Sequence, residues 1–129
     1  MAKKEFTYRG KTIEELKKLD IREFAKLVRS RERRTILRQF NEIERFINRS
    51  KKKIENKKQI KTHSRYLVIV PQMIGMKISI YSGKAFMPIE VTGEMLGHRL
   101  GEFAPTRGRI QHGKAGVGAT KGTKSKSKK

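Results

Sequence analysis

Apolar residues recur at spacings of three and four through the first half of the chain and alternate with polar residues in the second half. Ile13, Leu16 and Leu19 form the first apolar set, and Thr12 and Glu15 flank its start. A Thr followed three residues later by Glu is a capping box, in which both side chains satisfy free N–H groups at a helix start. The pattern therefore predicts a short helix beginning at Thr12.

A second short helix is predicted from Asp20, because Asp20 and Glu23 repeat the capping pattern. Phe24, Leu27 and Val28 then lie on one apolar face. Two adjacent caps indicate two short helices with a bend near Asp20.

A longer helix is predicted to begin at Ser30 or Arg31. Its apolar face consists of residues at helical spacing: Ile36, Leu37, Phe40, Ile43, Phe46 and Ile47. The pattern weakens after Asn48, and the basic stretch from Ser50 to Lys58 either continues as a fraying helix or forms a linker.

A β-hairpin is predicted in the second half. Lys77–Tyr81 alternates polar and apolar residues, Gly83 supplies a turn, and Phe86–Val91 returns. Pro88 has no N–H to donate to a ladder, which favours an edge strand. After the hairpin, Thr92-Gly93-Glu94 predicts a helical turn or two, with Met95 and Leu96 packing on the sheet.

One further strand is predicted at Tyr66–Val70, which is rich in β-forming residues and ends at Pro71. Its direction stays open, because the six residues from Pro71 to Met76 are too short for a usual parallel crossover. We predict an α+β fold in which a small three-stranded sheet, including the hairpin, packs with the N-terminal helices.

Charge divides the 129 residues into three segments of one domain. Residues 1–59, a basic helical extension, carry 20 basic and 9 acidic groups, and residues 60–107, the α+β core, carry 6 and 3. Residues 108–129 carry 7 basic groups and no acidic one, and are rich in Gly and Lys. This tail has too little apolar surface to order itself and is predicted to be disordered when unbound.

A net charge of +21 predicts a polyanionic partner. Nucleic acid is favoured over an anionic membrane surface, because the helices need their apolar residues for their own core. The chain has no cysteine, no apolar run long enough for a membrane span and no apolar signal sequence at its start, so we expect a cytoplasmic protein.

Motifs for catalysis are incomplete. Gly113–Thr120 resembles a phosphate-binding loop, but Ala119 stands where that loop needs Lys. His63, His98 and His112 lack metal-ligand spacing. We therefore predict no enzymatic activity, no cofactor and no metal site.

Two polar segments form the candidate interface. Lys61–Arg65 precedes the first predicted strand, and Gly97–Arg109 follows the hairpin. If both lie at one end of the sheet, they form a cationic patch with hydroxyl and imidazole donors. Only Tyr66 and Tyr81 offer nearby aromatic rings, so shape and phosphate recognition of folded RNA is favoured over a single-strand stacking platform.

The same segments carry a resemblance to a known family. The residues concerned are Lys61-Thr62-His63-Ser64-Arg65, Pro71-Gln72-Met73-Ile74-Gly75, Tyr81-Ser82-Gly83-Lys84, Pro88 and the run from Glu94 through Gly97-His98-Arg99-Leu100-Gly101-Glu102-Phe103-Ala104-Pro105-Thr106-Arg107. In this order and spacing, residues 60–107 resemble the universal small-subunit ribosomal protein S19 family. The helical extension and the Gly/Lys tail are similar to its archaeal and eukaryotic branch. Ser82 departs from the Asn that many members have before the turn Gly, and both residues suit a turn.

The resemblance implies a structural constituent of the small ribosomal subunit that binds small-subunit rRNA in the head region and supports translation. It implies a neighbouring S13-family protein and, through the tail, a position near the A-site tRNA. The rRNA-binding positions it implies are Lys61, His63, Ser64, Arg65, Gly83, Lys84, His98, Arg99, Arg107 and Arg109. We expect further RNA contacts from the tail residues Lys114, Lys121, Lys124 and Lys126. A general nucleic-acid-binding or DNA-compacting protein is the alternative, since composition alone does not separate the two, and an RNA-modifying enzyme is a more distant one.

Overall fold

The computed structural model describes residues 6–108, 116 and 119–123. Its elements follow one another as two hairpin strands, four helices and a three-stranded sheet with short 3-10 turns. Their bounds are β1 Thr7–Tyr8, β2 Lys11–Thr12, α1 Ile13–Lys18, α2 Ile21–Leu27, α3 Ser30–Arg38, α4 Phe40–Glu55, β3 Ile60–Thr62, β4 Lys77–Tyr81 and β5 Phe86–Glu90. This is the α+β architecture that the sequence predicts.

The predicted hairpin and its edge strand are confirmed. β4 and β5 pair antiparallel, with Tyr81 opposite Phe86 and Ser79 opposite Pro88. The strand order is β3-β4-β5, so Pro88 lies on an edge strand, where its missing N–H costs no ladder bond on the outer side. Gly83 in the turn has φ +98°, a conformation that Gly adopts without a Cβ penalty.

The third strand is not the one that the sequence predicts. β3 pairs parallel with β4, with Ile60 opposite Ile78 and Thr62 opposite Ile80. The predicted strand Tyr66–Val70 is wrong as a member of this sheet, because β3 already occupies the edge of β4. The chain between the parallel strands supplies the crossover that Pro71–Met76 alone is too short to make.

Leu67–Val70 is instead a buried extended segment between the helices and the sheet. All four side chains are at most 2% exposed. Val68 forms an isolated bridge with Arg99, and the remaining pairing partners lie in the same loop after the hairpin. A fully buried apolar run looks the same in sequence whether it pairs in a sheet or with a loop, which explains the wrong prediction.

The two predicted helix starts are confirmed. Thr12 and Glu15 form both bonds of a capping box at α1, and Glu23 accepts a bond from the N–H of Asp20 at α2. The backbone turns between these helices, since Leu19 and Asp20 are both extended. Leu16 and Phe24 are fully buried, as the apolar spacing requires.

The predicted long helix is divided at Gln39 into α3 and α4. Gln39 has φ −105° and ψ 20°, outside the helical region, and no Pro or Gly marks the position. Ile36 and Ile43 are buried on either side of the break, but Leu37 is 52% exposed and lies off the predicted apolar face. The basic stretch after Ser50 continues as helix to Glu55.

A two-stranded hairpin before α1 was not predicted. β1 and β2 pair antiparallel around Arg9 and Gly10, both of which have positive φ (51° and 78°). Tyr8 packs its ring 5.9 Å from that of Phe24, which ties the hairpin to α2.

One apolar cluster joins the helices, the buried segment and the inner face of the sheet, and its members run from Leu16 to Ala104. Within the described residues, we find no helix with the length and apolar content needed to cross a bilayer. The prediction that residues 108–129 are disordered falls mostly outside the described residues. In the described part of this tail, Lys121–Thr123 form a 3-10 turn.

Candidate nucleic-acid interface

Arg65 joins three segments at one end of the sheet. Its Nη1 donates to the carbonyl oxygen of Tyr81 (2.6 Å), and its Nη2 donates to those of Gly101 (2.8 Å) and Ala104 (2.5 Å). The planar fork of a guanidinium directs donors on separate nitrogens toward carbonyls that lie apart, whereas the three donors of a Lys ammonium all radiate from one nitrogen. We call this junction of residues 61–65, 81–85 and 101–107 the rim.

Backbone pairing holds the two predicted segments together. The N–H of Gly101 donates to the Arg65 carbonyl (2.8 Å), and the N–H of Leu100 donates to that of Leu67 (3.0 Å). A Cβ on Gly101 would lie 3.0 Å from the Arg65 carbonyl oxygen and 3.0 Å from its Cβ. The close approach therefore favours Gly, since any side chain here would push the Arg65 backbone away by a few tenths of an ångström. The predicted convergence of the two segments at one end of the sheet is thus present.

His63 and Lys61 lie on the exposed side of the rim. Because β3 alternates and Thr62 points inward, the residues before and after it point outward. The His63 ring packs 4.5 Å from Tyr81 and 5.2 Å from Phe86, and the Lys61 ammonium lies 5.5 Å from the Phe86 ring centroid. Imidazole, ammonium and aromatic faces are thus presented together.

The hairpin turn completes the rim. The hydroxyl of Tyr81 donates to the Gly83 carbonyl (2.9 Å), and the N–H of Ser82 donates to the Ala85 carbonyl (2.9 Å). These bonds fix the turn and leave Gly83 and Lys84 exposed. Ser64 is half-buried, and its backbone is held in place because its N–H donates to the Thr62 hydroxyl (3.0 Å).

His98 and Arg99 are not at the rim. They pair with the far end of the buried segment, where the N–H of Ile69 donates to the His98 carbonyl (2.8 Å). Glu102, which belongs to the rim, connects them to it, because its carboxylate accepts a hydrogen bond from the Arg99 N–H (3.3 Å) and lies 2.7 Å from His98 Nδ1. His98 and Arg99 therefore lie beside the rim, and His98 lines a second surface that adjoins it.

The second surface is a groove between the N-terminal hairpin, the turn after α2 and the loop at His98. Its lining consists of Tyr8, Arg9, Val28, Arg29, Glu32, Glu94, Leu96, Gly97, His98 and Glu102. His98 Nδ1 lies 2.7 Å from a Glu102 carboxylate oxygen, and the half-buried Arg99 donates to the Thr35 hydroxyl (3.4 Å). The groove has a mixed charge, since the carboxylates of Glu32, Glu94 and Glu102 line it together with the guanidinium groups of Arg9 and Arg29.

The remaining predicted contacts are exposed or lie outside the described residues. Arg107 is exposed at the last position of the rim, and Lys121 is exposed in its 3-10 turn. Arg109, Lys114, Lys124 and Lys126 lie outside the described residues. Among residues 6–108, 116 and 119–123, no group of three His, Cys, Asp or Glu could hold a metal ion.

Two features of the interface were missed from the sequence. The first is Phe86, whose place opposite Tyr81 follows from the hairpin register and whose ring was not counted. The second is the use of Arg65 as an internal junction, for which the motif offers no signal because its three acceptors are backbone carbonyls 16 to 39 residues away.

Comparison with known proteins gives a consistent result. Residues 29–112 match the family model described as Ribosomal protein S19. The chain is similar to the small ribosomal subunit protein uS19 of Methanocella arvoryzae, with 49% identity over 122 residues covering 95% of this chain and 86% of that protein. It is also 43% identical to the small ribosomal subunit protein uS19 of Methanococcoides burtonii, over 95% of this chain and 88% of that protein.

Proposed function

The chain belongs to the ribosomal protein S19 family, and on that premise we propose that its rim binds small-subunit rRNA in the head of the small ribosomal subunit. It is a structural protein of the small subunit and takes part in translation as a component of that ribonucleoprotein. The proposed contacts at the rim are Lys61, His63, Ser64, Arg65, Gly83, Lys84 and Arg107. We propose Arg109, Lys114, Lys121, Lys124 and Lys126 as further contacts along the tail, and no catalytic role.

The observation that carries this proposal is the junction at Arg65. Three bonds from one guanidinium fix three segments, so the exposed cations Lys61 and Lys84 sit on a rigid base. A preordered cationic surface gives up little conformational entropy when it binds phosphates. Arg65 then acts both as a hydrogen-bond donor to phosphate at the edge of the rim and as the residue that positions the others.

Phosphate neutralisation should dominate the affinity. If about six phosphates are contacted, raising the salt concentration from 50 to 200 mM weakens binding by roughly a thousandfold. We would measure this with an RNA fragment of the small-subunit head and with a DNA duplex of equal length. A clear preference for the folded RNA is expected, whereas equal affinity would favour a general DNA-compacting protein.

A matched pair of variants locates the contact surface. Exchanging Lys61 and Lys84 for Gln removes two rim cations, so the slope of log affinity against log salt should fall by roughly two. The control exchanges Lys17 and Lys18 for Gln, two exposed cations in the last turn of α1. Equal losses in both variants would show that the rim is not the interface.

The mixed charge of the groove supports a protein neighbour beside the rim. We propose that the S13-family protein of the head contacts the chain near His98 and Arg99, that the tail extends toward the A-site tRNA, and that the assembled protein is cytoplasmic. Acidic and basic side chains that share one groove suit the mixed charges of a protein surface better than a continuous phosphate backbone. A density map of small subunits carrying this chain tests each contact, and rRNA filling the groove would contradict the assignment.

A further inference from the structure

One face of the three-stranded sheet is turned away from the apolar core. Ile78 and Ile80 of β4 are fully buried, so the alternate residues of β4 point to the other side. The register places residues of β3 and β5 on that same side, and these are half-buried or exposed. We call this the outer sheet face, and its members are Lys61, His63, Lys77, Ser79, Tyr81, Phe86, Pro88 and Glu90.

Three aromatic rings cluster at the rim end of the outer sheet face. The ring centroids of His63, Tyr81 and Phe86 are separated by 4.5 Å, 5.2 Å and 5.2 Å, in tilted and edge-to-face arrangements. Tyr81 and Phe86 are half-buried, whereas His63 is exposed. The His63 imidazole is therefore the most solvent-exposed of the three rings, and it packs on the rings of Tyr81 and Phe86.

Charge favours a nucleic acid as the occupant of this face. Lys61 and Lys77 are exposed on it, and Glu90 is the acidic member. A groove beside it, between the end of α4 and the sheet, adds Lys57 and Lys58. Aromatic rings bordered by cations form the arrangement by which proteins hold unpaired nucleotides, because rings stack on bases while ammonium groups neutralise phosphates.

We propose that His63 stacks against an unpaired RNA base, with Tyr81 and Phe86 holding its ring in place and Lys61 beside the adjoining phosphate. This deepens the proposed function, on which it rests, by naming the kind of nucleotide that the rim takes. It also revises the expectation from the sequence, which counted only Tyr66 and Tyr81 as available rings.

The test uses the full chain and an eight-nucleotide oligoadenylate, with an otherwise identical oligomer that contains abasic residues. Stacking is tolerant of base identity, so a homopolymer is a suitable probe. His63→Ala should weaken oligoadenylate binding by roughly tenfold and leave abasic binding unchanged. His63→Phe should restore the affinity, since it keeps an aromatic face without the imidazole nitrogens.

Two further variants guard against indirect effects. Phe86→Leu keeps apolar volume and removes the supporting ring, so it should weaken oligoadenylate binding in the same direction. Tyr66→Ala removes an exposed ring outside the cluster (44% exposed) and should leave binding unchanged. Thermal unfolding of each variant checks that the protein used in the binding assay is folded.

The proposal is overturned if His63→Ala binds like Tyr66→Ala, or if His63→Phe is as weak as His63→Ala. The second result would mean that the imidazole donates a hydrogen bond and does not stack. If His63→Ala still binds the rRNA fragment more tightly than duplex DNA, the proposed function stands although the stacking proposal fails. If the unmodified chain binds the two equally, the proposed function itself is overturned.

Discussion

Arg65 shows that a cation in a binding motif can serve the fold as well as the ligand. Its side chain is half-buried, and at least three of its five N–H donors are bonded to backbone carbonyls. Those carbonyls lie at the end of β4 and in the segment after the hairpin, so the side chain adds to the backbone pairing that joins these segments. A loss of RNA binding after substitution of Arg65 would therefore combine a lost charge with a displaced rim.

Arg65→Lys separates these two effects because it retains the charge. An ammonium cannot reproduce the fork, so some of the three carbonyls lose their donor, and the free energy of unfolding should fall by about 2 kcal/mol. Urea unfolding at high salt, which screens the +21 charge, provides the measurement. Arg107→Lys is the control, since that residue is exposed and should change stability by less than about 0.5 kcal/mol. Equal stability of the two variants would contradict the junction role.

At the scale of elements, the sequence predicts correctly those features whose stabilising contacts lie within a few residues of one another. The capping pairs at Thr12 and Asp20 and the turn at Gly83 each lie within four residues of the feature that they specify. Their energetics depend on neighbours in sequence, so the sequence predicts them well. The edge position of Pro88 also follows from its own chemistry.

The missed elements depend on contacts between distant residues. Tyr66–Val70 was predicted to pair in the sheet, and only the loop at 97–101 shows where the backbone bonds of Leu67–Val70 go. β3 has only three residues and lies in a polar stretch, so no alternation of apolar and polar residues marks it as a strand. The break at Gln39 likewise carries no Pro or Gly. Of the predicted site, the rim segments meet, and His98 and Arg99 lie beside them because the His98 carbonyl pairs with Ile69 of the buried segment.

Arg33 tests how the short helices are held in place. Its Nε donates to the Ala25 carbonyl (3.1 Å) and its Nη2 to the Lys26 carbonyl (2.9 Å), which satisfies acceptors in the last turn of α2. Arg33→Gln should lower the free energy of unfolding by about 1 kcal/mol. Arg34→Gln, an exposed neighbour on the same helix, removes the same charge and serves as the control. If thermal unfolding midpoints of the two variants coincide, the bonds from Arg33 do not link α2 to α3.

At the scale of the whole molecule, charge and apolar burial are divided between different parts of the chain. The described apolar cluster ends at Ala104. Residues 108–129 carry seven basic groups, one third of the net charge, and no acidic group. The tail therefore adds positive charge, and with it self-repulsion, while its sequence offers few apolar side chains.

Removing residues 108–129 should consequently leave the fold intact and weaken RNA binding. The net charge falls from +21 to +14, so the thermal unfolding midpoint of the free protein should stay the same or rise slightly. Affinity for the rRNA fragment should fall, with a shallower salt dependence, because fewer phosphates are neutralised. A full-length variant with every tail Lys and Arg exchanged for Gln controls for chain length and should behave like the truncated chain. A large drop in the unfolding midpoint on truncation would show that the tail packs against the core, and unchanged salt dependence would show that it does not contact RNA.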